Sequence, residues 1–281
     1  MSGLVFLAVL CAAVLHAVWN AFVKGSSDKS LSMGAVALGH LPLALAILPF
    51  VSLPHAASLP YLATGIALHF AYQLFLIRSY EIGDLTQVYP IARGSAPLLV
   101  AAISFLVLGE ELSRTEFLGI AVIGLGIISL SIVRRADGHA NGRAAVLATI
   151  TGMFIAAYSI VDGHGARLAG SALGFYCWVA IGNAAMMGTY LGLFRRESLR
   201  ALPKRGRRLF FVGGSMSFLA YGLVIWSFTQ APIALVTALR ETSVVFALLI
   251  GVFVLRERLS LLKLVSTMMT LFGAVLLRWA R

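Results

Sequence analysis

Apolar runs of about twenty residues, separated by short polar or basic segments, recur from one end of this chain to the other. Each is long enough to cross roughly 30 Å of hydrocarbon as a helix rising about 1.5 Å per residue. The pattern predicts ten membrane-spanning helices, at about 4–23, 31–53, 61–80, 86–108, 115–133, 144–162, 170–193, 208–229, 232–255 and 261–278. Strand-like alternation of polar and apolar residues is missing, which argues against a β-barrel. The first run has no basic n-region and no convincing cleavage site, and it carries His16, Trp19 and Asn20 in its second half. It reads as a retained helix rather than a signal peptide.

The pattern also repeats. Val88–Ser113 lies without a gap over Leu235–Ser260 at a constant offset of 147 residues (235 minus 88), and the register holds onward to Gly126 over Gly273. Arg93 falls on Arg240, Glu110 on Glu257 and Ser113 on Ser260. The duplication divides the chain into 1–135 and 143–281, five helices each. Two tandem copies with an odd number of spans enter the membrane in opposite orientations, related by a pseudo-two-fold axis in the membrane plane. The expected fold is therefore an all-α polytopic membrane protein of two inverted five-helix repeats.

Composition agrees. With 60% hydrophobic and 12% charged residues, the chain has too few polar groups to coat a soluble globule of its length. The net charge of +11 changes the picture only through its placement. Sixteen Lys and Arg lie in the loops after odd-numbered helices, seven of them within 195–208, and only Arg114 and Arg167 in the even ones. By the positive-inside rule the odd loops face the cytoplasm and both termini the periplasm of a bacterial inner membrane. The basic 195–208 stretch is a topology signal touching lipid headgroups rather than a nucleic-acid site. Cys11 and Cys177 sit within apolar spans as small hydrophobes, with no metal-ligand spacing.

Arg93 and Arg240 are the sharpest chemical feature. An arginine near the bilayer centre costs about 2.5–3.5 kcal/mol on insertion scales, so it faces a cavity or a partner. The pair either forks onto a phosphonate, phosphate or carboxylate, or locks the halves together through Glu241. Neighbours on one helix diverge by about 100°, so Glu241 meets Arg93 or a substrate ammonium rather than Arg240. Pro90 and Pro97 flank Arg93 and loosen its helix. Ser95 and Thr242 add hydroxylated surface beside the arginines. His16, Trp19 and Asn20 share one helical face, where they bind a polar head or, for the last two, anchor at the interface. His16 is also a proton-carrier candidate, with Asp162 and Glu241. Asp162 lies near a predicted span end beside Gly163, His164 and Gly165, where a solvated terminus is the plainer reading. Tyr72, Tyr89, Tyr158 and Tyr221 line a cavity or fill core, and His40 and His69 stand alone in their spans as structural histidines. No Walker A sequence, HExxH, nucleophile elbow or Cys/His cluster is present, so neither an enzyme nor a cofactor is expected.

The two-fold five-helix repeat and the fourth-helix ending Gly109, Glu110, Leu112, Ser113 resemble the EamA-type carriers of the drug/metabolite transporter superfamily. The segments His16–Asn20, Gly83–Pro97 and Ala234–Ser243 look like the subgroup described as phosphonate-utilisation-associated membrane proteins. The resemblance implies a secondary transporter, with helices one, three, four, six, eight and nine around a central cavity and five and ten bracing the outside. It also implies termini on the cytoplasmic side, opposite to the charge count. The expected partners are a small-molecule substrate, membrane lipid and a coupling proton, with no nucleic acid, for a monomer or homodimer. The substrate reads as an anionic or zwitterionic organophosphonate. Export of amino acids or related metabolites, and flipping of a lipid-carrier phosphate, are the alternatives.

Overall fold

The computed structural model describes residues 1–24, 28–82, 85–136, 142–254 and 261–279, and every regular element among them is helical. Ten long helical stretches follow in order: α1 Gly3–Lys24, α2 Lys29–Phe50, α3 Leu59–Ile82, α4 Leu85–Leu106, α5 Arg114–Ala136, α6 Gly142–Leu168, α7 Ala172–Phe194, α8 Leu209–Phe228, α9 Ile233–Val254 and α10 Leu261–Trp279. Nine of these, all but α5, have a described stretch long and apolar enough to cross a membrane. The second-copy residues Leu255–Ser260 and the Gly83–Asp84 pair lie outside the described residues.

The packing pairs follow the duplication. Helix α3 packs on α6 as α8 packs on α1, and α4 on α6 as α9 on α1, whereas α4 packs on α5 far more extensively than α9 does on α10. Helices α5 and α10 pack on each other, as do α2 and α7, so these pairs map onto themselves when the halves exchange. Without a hydrophobic drive between helices in lipid, close approach at small residues holds such contacts together. The α5–α10 crossing shows it: a Cβ on Gly273 would stand 2.8 Å from the Gly119 carbonyl oxygen. Exposed Leu4, Leu7, Leu264, Leu271 and Phe272 turn outward, as on a surface solvated by acyl chains.

Two local features depart from expectation. Pro90 and Pro97 do not interrupt α4, which runs unbroken from Leu85 to Leu106. The break lies in the other half, with no proline: α9 is helical over Ile233–Arg240, turns at Glu241–Thr242 and resumes at Ser243. Through this turn the backbone bonds tighten to i→i−3, Glu241 N–H to Ala238 and Thr242 N–H to Leu239. The Thr242 hydroxyl donates to the same Leu239 carbonyl at 2.8 Å, competing with the helical ladder.

Candidate functional site

Arg93 on α4 and Arg240 on α9 approach the centre from the two halves and are 5% and 3% exposed. Glu241 is fully buried between them. Arg93 Nε stands 2.9 Å from Glu241 Oε2, and Arg240 Nε 3.8 Å from Oε1. The turn after Arg240 carries Glu241 to both guanidinium groups, which a continuous helix at about 100° per residue would not do. The attraction is Coulombic rather than well-aligned hydrogen bonding. Nε and Nη2 of each arginine and both Glu241 oxygens have no hydrogen-bond partner among the described residues. Two cations share one anion, so the cluster retains one positive charge. Arg240 also ends the Ile233–Arg240 helix, whose carbonyl end favours a cation.

Both arginines line a central cavity of about 90 Å³. His16 and Trp19 line it from α1, Tyr72 from α3, Tyr158 from α6 and Tyr221 from α8. The His16 and Trp19 rings meet edge to face at 5.1 Å, and the Trp19 N–H has no partner among the described residues. The remaining expected site residues stand elsewhere. Asn20 donates to the His16 carbonyl of its own helix at 2.8 Å. Tyr89 sits behind Arg93, whose Cζ is 6.0 Å from its ring. Ser95 turns to the Ala92 carbonyl of its own helix, and Thr242 opens onto the outer side of α9.

Asp162 is not at a solvated helix end. Helix α6 continues to Leu168, because Gly163 and Gly165 let it pack tightly against Ile233 and Phe175. That extension leaves Asp162 fully buried. Its Oδ2 shares a 2.7 Å hydrogen bond with His69 Nε2 and accepts another of 2.7 Å from the Tyr221 hydroxyl. His69 is therefore no isolated structural histidine. It stacks on Tyr158 at 4.1 Å and lines the cavity. A carboxylate, an imidazole and a phenol from α6, α3 and α8 thus tie the two halves together beside the arginine cluster.

Sequence reasoning missed the contribution of α2 and α7. His40 of α2 and Tyr176 and Asn183 of α7 also line the cavity. The signal was there, since each is a polar or amphipathic group inside an apolar run. Tyr176 and Asn183, seven residues apart, even share one face of α7; what could not be read was which neighbour that face meets, because helical spacing fixes a direction on one helix and nothing about its partners. On one membrane face, Arg167 at the end of α6 donates to the Phe228 and Ala231 carbonyls at 2.9 and 3.0 Å and pairs with Glu110. Near the opposite end of α6, Arg195 pairs with Glu81 at 2.9 Å.

The model of the EamA-like transporter family matches the chain twice, over residues 3–132 and 142–279. No curated protein matches by sequence. A solved structure described as "Crystal structure of protein" superposes with a TM-score of 0.74 at 16% identity, covering 98% of this chain and 99% of that one. At that identity the likeness is one of fold alone.

Proposed function

Because the chain belongs to the EamA-like transporter family, an integral membrane protein built of two family repeats, we propose that it is a secondary transporter of a small anionic or zwitterionic metabolite. The observation that carries this reading is the central charge balance: Arg93 and Arg240 share the single carboxylate Glu241 beside a cavity. A buried excess cation with unsatisfied guanidinium donors is costly, and a phosphonate, phosphate or carboxylate supplies the missing charge and acceptors. The organophosphonate class fits best, since its head offers three oxygens to two planar forks.

In this reading all ten long helices cross the bacterial inner membrane, five per inverted half, with both termini periplasmic. Transport proceeds by alternating access around the α4–α9 contact, with α9 bending at Glu241–Thr242. Of the proton-coupling candidates, Asp162 is the best placed: it holds His69, which faces the cavity, whereas Glu241 is committed to two fixed cations. Substrate release then requires only that one pair of helices part from its mates on each side in turn.

The test is a thermal-shift screen of purified protein against alkylphosphonates, amino acids, amines and lipid-phosphate heads, since a ligand of the folded state raises apparent stability. Phosphonates should stabilise the wild type and fail to stabilise Arg93→Gln and Arg240→Gln. In liposomes the same variants should lose uptake of the stabilising compound. Normal binding and transport by both variants would remove the arginines from the substrate site. A response to amino acids alone would move the substrate class.

A further inference from the structure

The duplication is broken beside the arginines, and the break opens a second cavity. In the first half Gly94 on α4 abuts α5 so closely that a Cβ there would stand 2.8 Å from both the Gly124 carbonyl oxygen and Ile128. At the offset of 147 those three positions become Glu241, Leu271 and Val275, and Ser95 becomes Thr242. Two glycines that let α4 and α5 touch are thus replaced by larger residues, and α9 and α10 stand apart. The gap is an apolar groove of about 330 Å³ between α1, α9 and α10. Thr242, at the bend of α9, forms its deep end, with Leu271 and Val275 on its wall.

The outer end of the groove has a different chemistry. Arg278 lies exposed at the close of α10, its guanidinium 5.7 Å from the Phe6 ring, and no carboxylate among the described residues pairs with it. Trp279 beside it is 79% exposed. From Leu271 to Trp279 α10 rises about 12 Å, most of the roughly 15 Å of hydrocarbon in one leaflet. An apolar slot one leaflet deep, a tryptophan at headgroup level and an exposed arginine at its mouth together match an acyl chain, an interfacial anchor and a lipid phosphate. The first half carries Ser131 where the second has Arg278, so the arrangement belongs to one half alone.

We propose that this groove is a binding site for one anionic phospholipid, its phosphate on Arg278 and one acyl chain running inward to the bend of α9. The lipid is a bound ligand that fills the space behind the hinge, distinct from the transported substrate. An occupied groove supports the bent form of α9 through Thr242 and Val245, which line it. The site does not depend on the substrate assignment, because none of its lining residues faces the central cavity.

Native mass spectrometry of the purified full chain, with phosphatidylglycerol and phosphatidylcholine of matched chains, reads occupancy directly. The wild type should retain one lipid and prefer phosphatidylglycerol about fivefold, the ratio expected from one basic group at a lipid surface. Arg278→Gln should abolish the preference while still taking up either lipid. Val275→Trp fills the slot from a position 43% exposed, so the core is untouched, and should lower occupancy by both lipids at least about tenfold. Retention by Val275→Trp equal to wild type, or an unchanged preference in Arg278→Gln, overturns the proposal. So does competition by glycerophosphate as strong as by whole lipid, which would make the site a phosphate site without a chain. Loss of the lipid in Arg93→Gln would place it in the central cavity and likewise overturn the groove.

Discussion

The arginine–glutamate cluster makes a quantitative demand on stability. Glu241 sits 2.9 Å from one guanidinium nitrogen and 3.8 Å from another, which at an effective dielectric constant of about 20 corresponds to gross attractions of about 6 and about 4 kcal/mol. Desolvation of three charges offsets most of this, so the pairing itself contributes little net stability. Removing the anion is a different matter, because it leaves two guanidinium groups, each about 95% or more buried, facing one another uncompensated. Breaking a buried pair from one side costs about 3–5 kcal/mol. Glu241→Gln should therefore lower the apparent melting temperature by roughly 6–20 °C, taking about 2–4 °C per kcal/mol. Arg93→Gln, which leaves one cation against one anion, should cost less, and the double variant should recover part of the Glu241→Gln loss. Methylphosphonate should also stabilise Glu241→Gln more than wild type, since it replaces the lost charge. The measurement is a thermal-unfolding scan of the four proteins in detergent with and without that anion. A Glu241→Gln protein as stable as wild type, indifferent to the anion, would mean that water or an unconsidered counter-charge solvates the arginines, and the charge-balance argument would fall.

Three further outcomes follow from the same geometry. Gly94→Ala should destabilise by about 1–3 kcal/mol, because its methyl meets the Gly124 carbonyl and Ile128 at 2.8 Å; denaturation in detergent reads the loss, and an unchanged midpoint would mean that α4 and α5 separate freely. Asp162→Ala should cost about 2–4 kcal/mol by stranding His69 and Tyr221, with Asp162→Asn less damaging, and equal stability of both with wild type would deny the interhelical tie. Lys204→Cys, in a background lacking Cys11 and Cys177, should react with membrane-impermeant maleimide only in inverted vesicles; labelling of intact cells would invert the proposed topology.

The helices were legible because lipid imposes one rule on every segment. Each span must bury its own backbone hydrogen bonds over a fixed thickness, so length and hydropathy alone give the elements to within a few residues. The exception shows the limit of that rule. The predicted sixth span ends at 162 because polar Asp162 and two glycines look like a terminus, whereas α6 runs on to Leu168. The glycines serve close packing against α7 and α9, and Asp162 is satisfied by His69, 93 residues away. Hydropathy scores a polar residue against lipid and contains nothing of a partner on another helix. The expected loosening at Pro90 and Pro97 meets the same limit. Pro90 and Pro97 remove donors, but α4 is wedged along α5 and α6 and stays whole, while α9 turns where a buried glutamate has two cations to reach.

Where the two copies differ is therefore more informative than where they agree. The shared arginines require only that each half carry a cation to the centre. The exchange of Gly94 for Glu241, and of Gly124 for Leu271, does three things at once: it lowers the central charge to one excess cation, parts α9 from α10, and sets Thr242, at the bend, beside an apolar groove instead of a facing glycine backbone. Helix α4 is clamped by its glycine contact and α9 is not. An inverted repeat with identical halves would have equal freedom on both sides of the membrane. Here the glycine clamp is present in one half and absent from the other, so in the proposed alternating-access cycle opening toward one side would bend α9 at Glu241, while opening toward the other would move α4 and α5 as a unit.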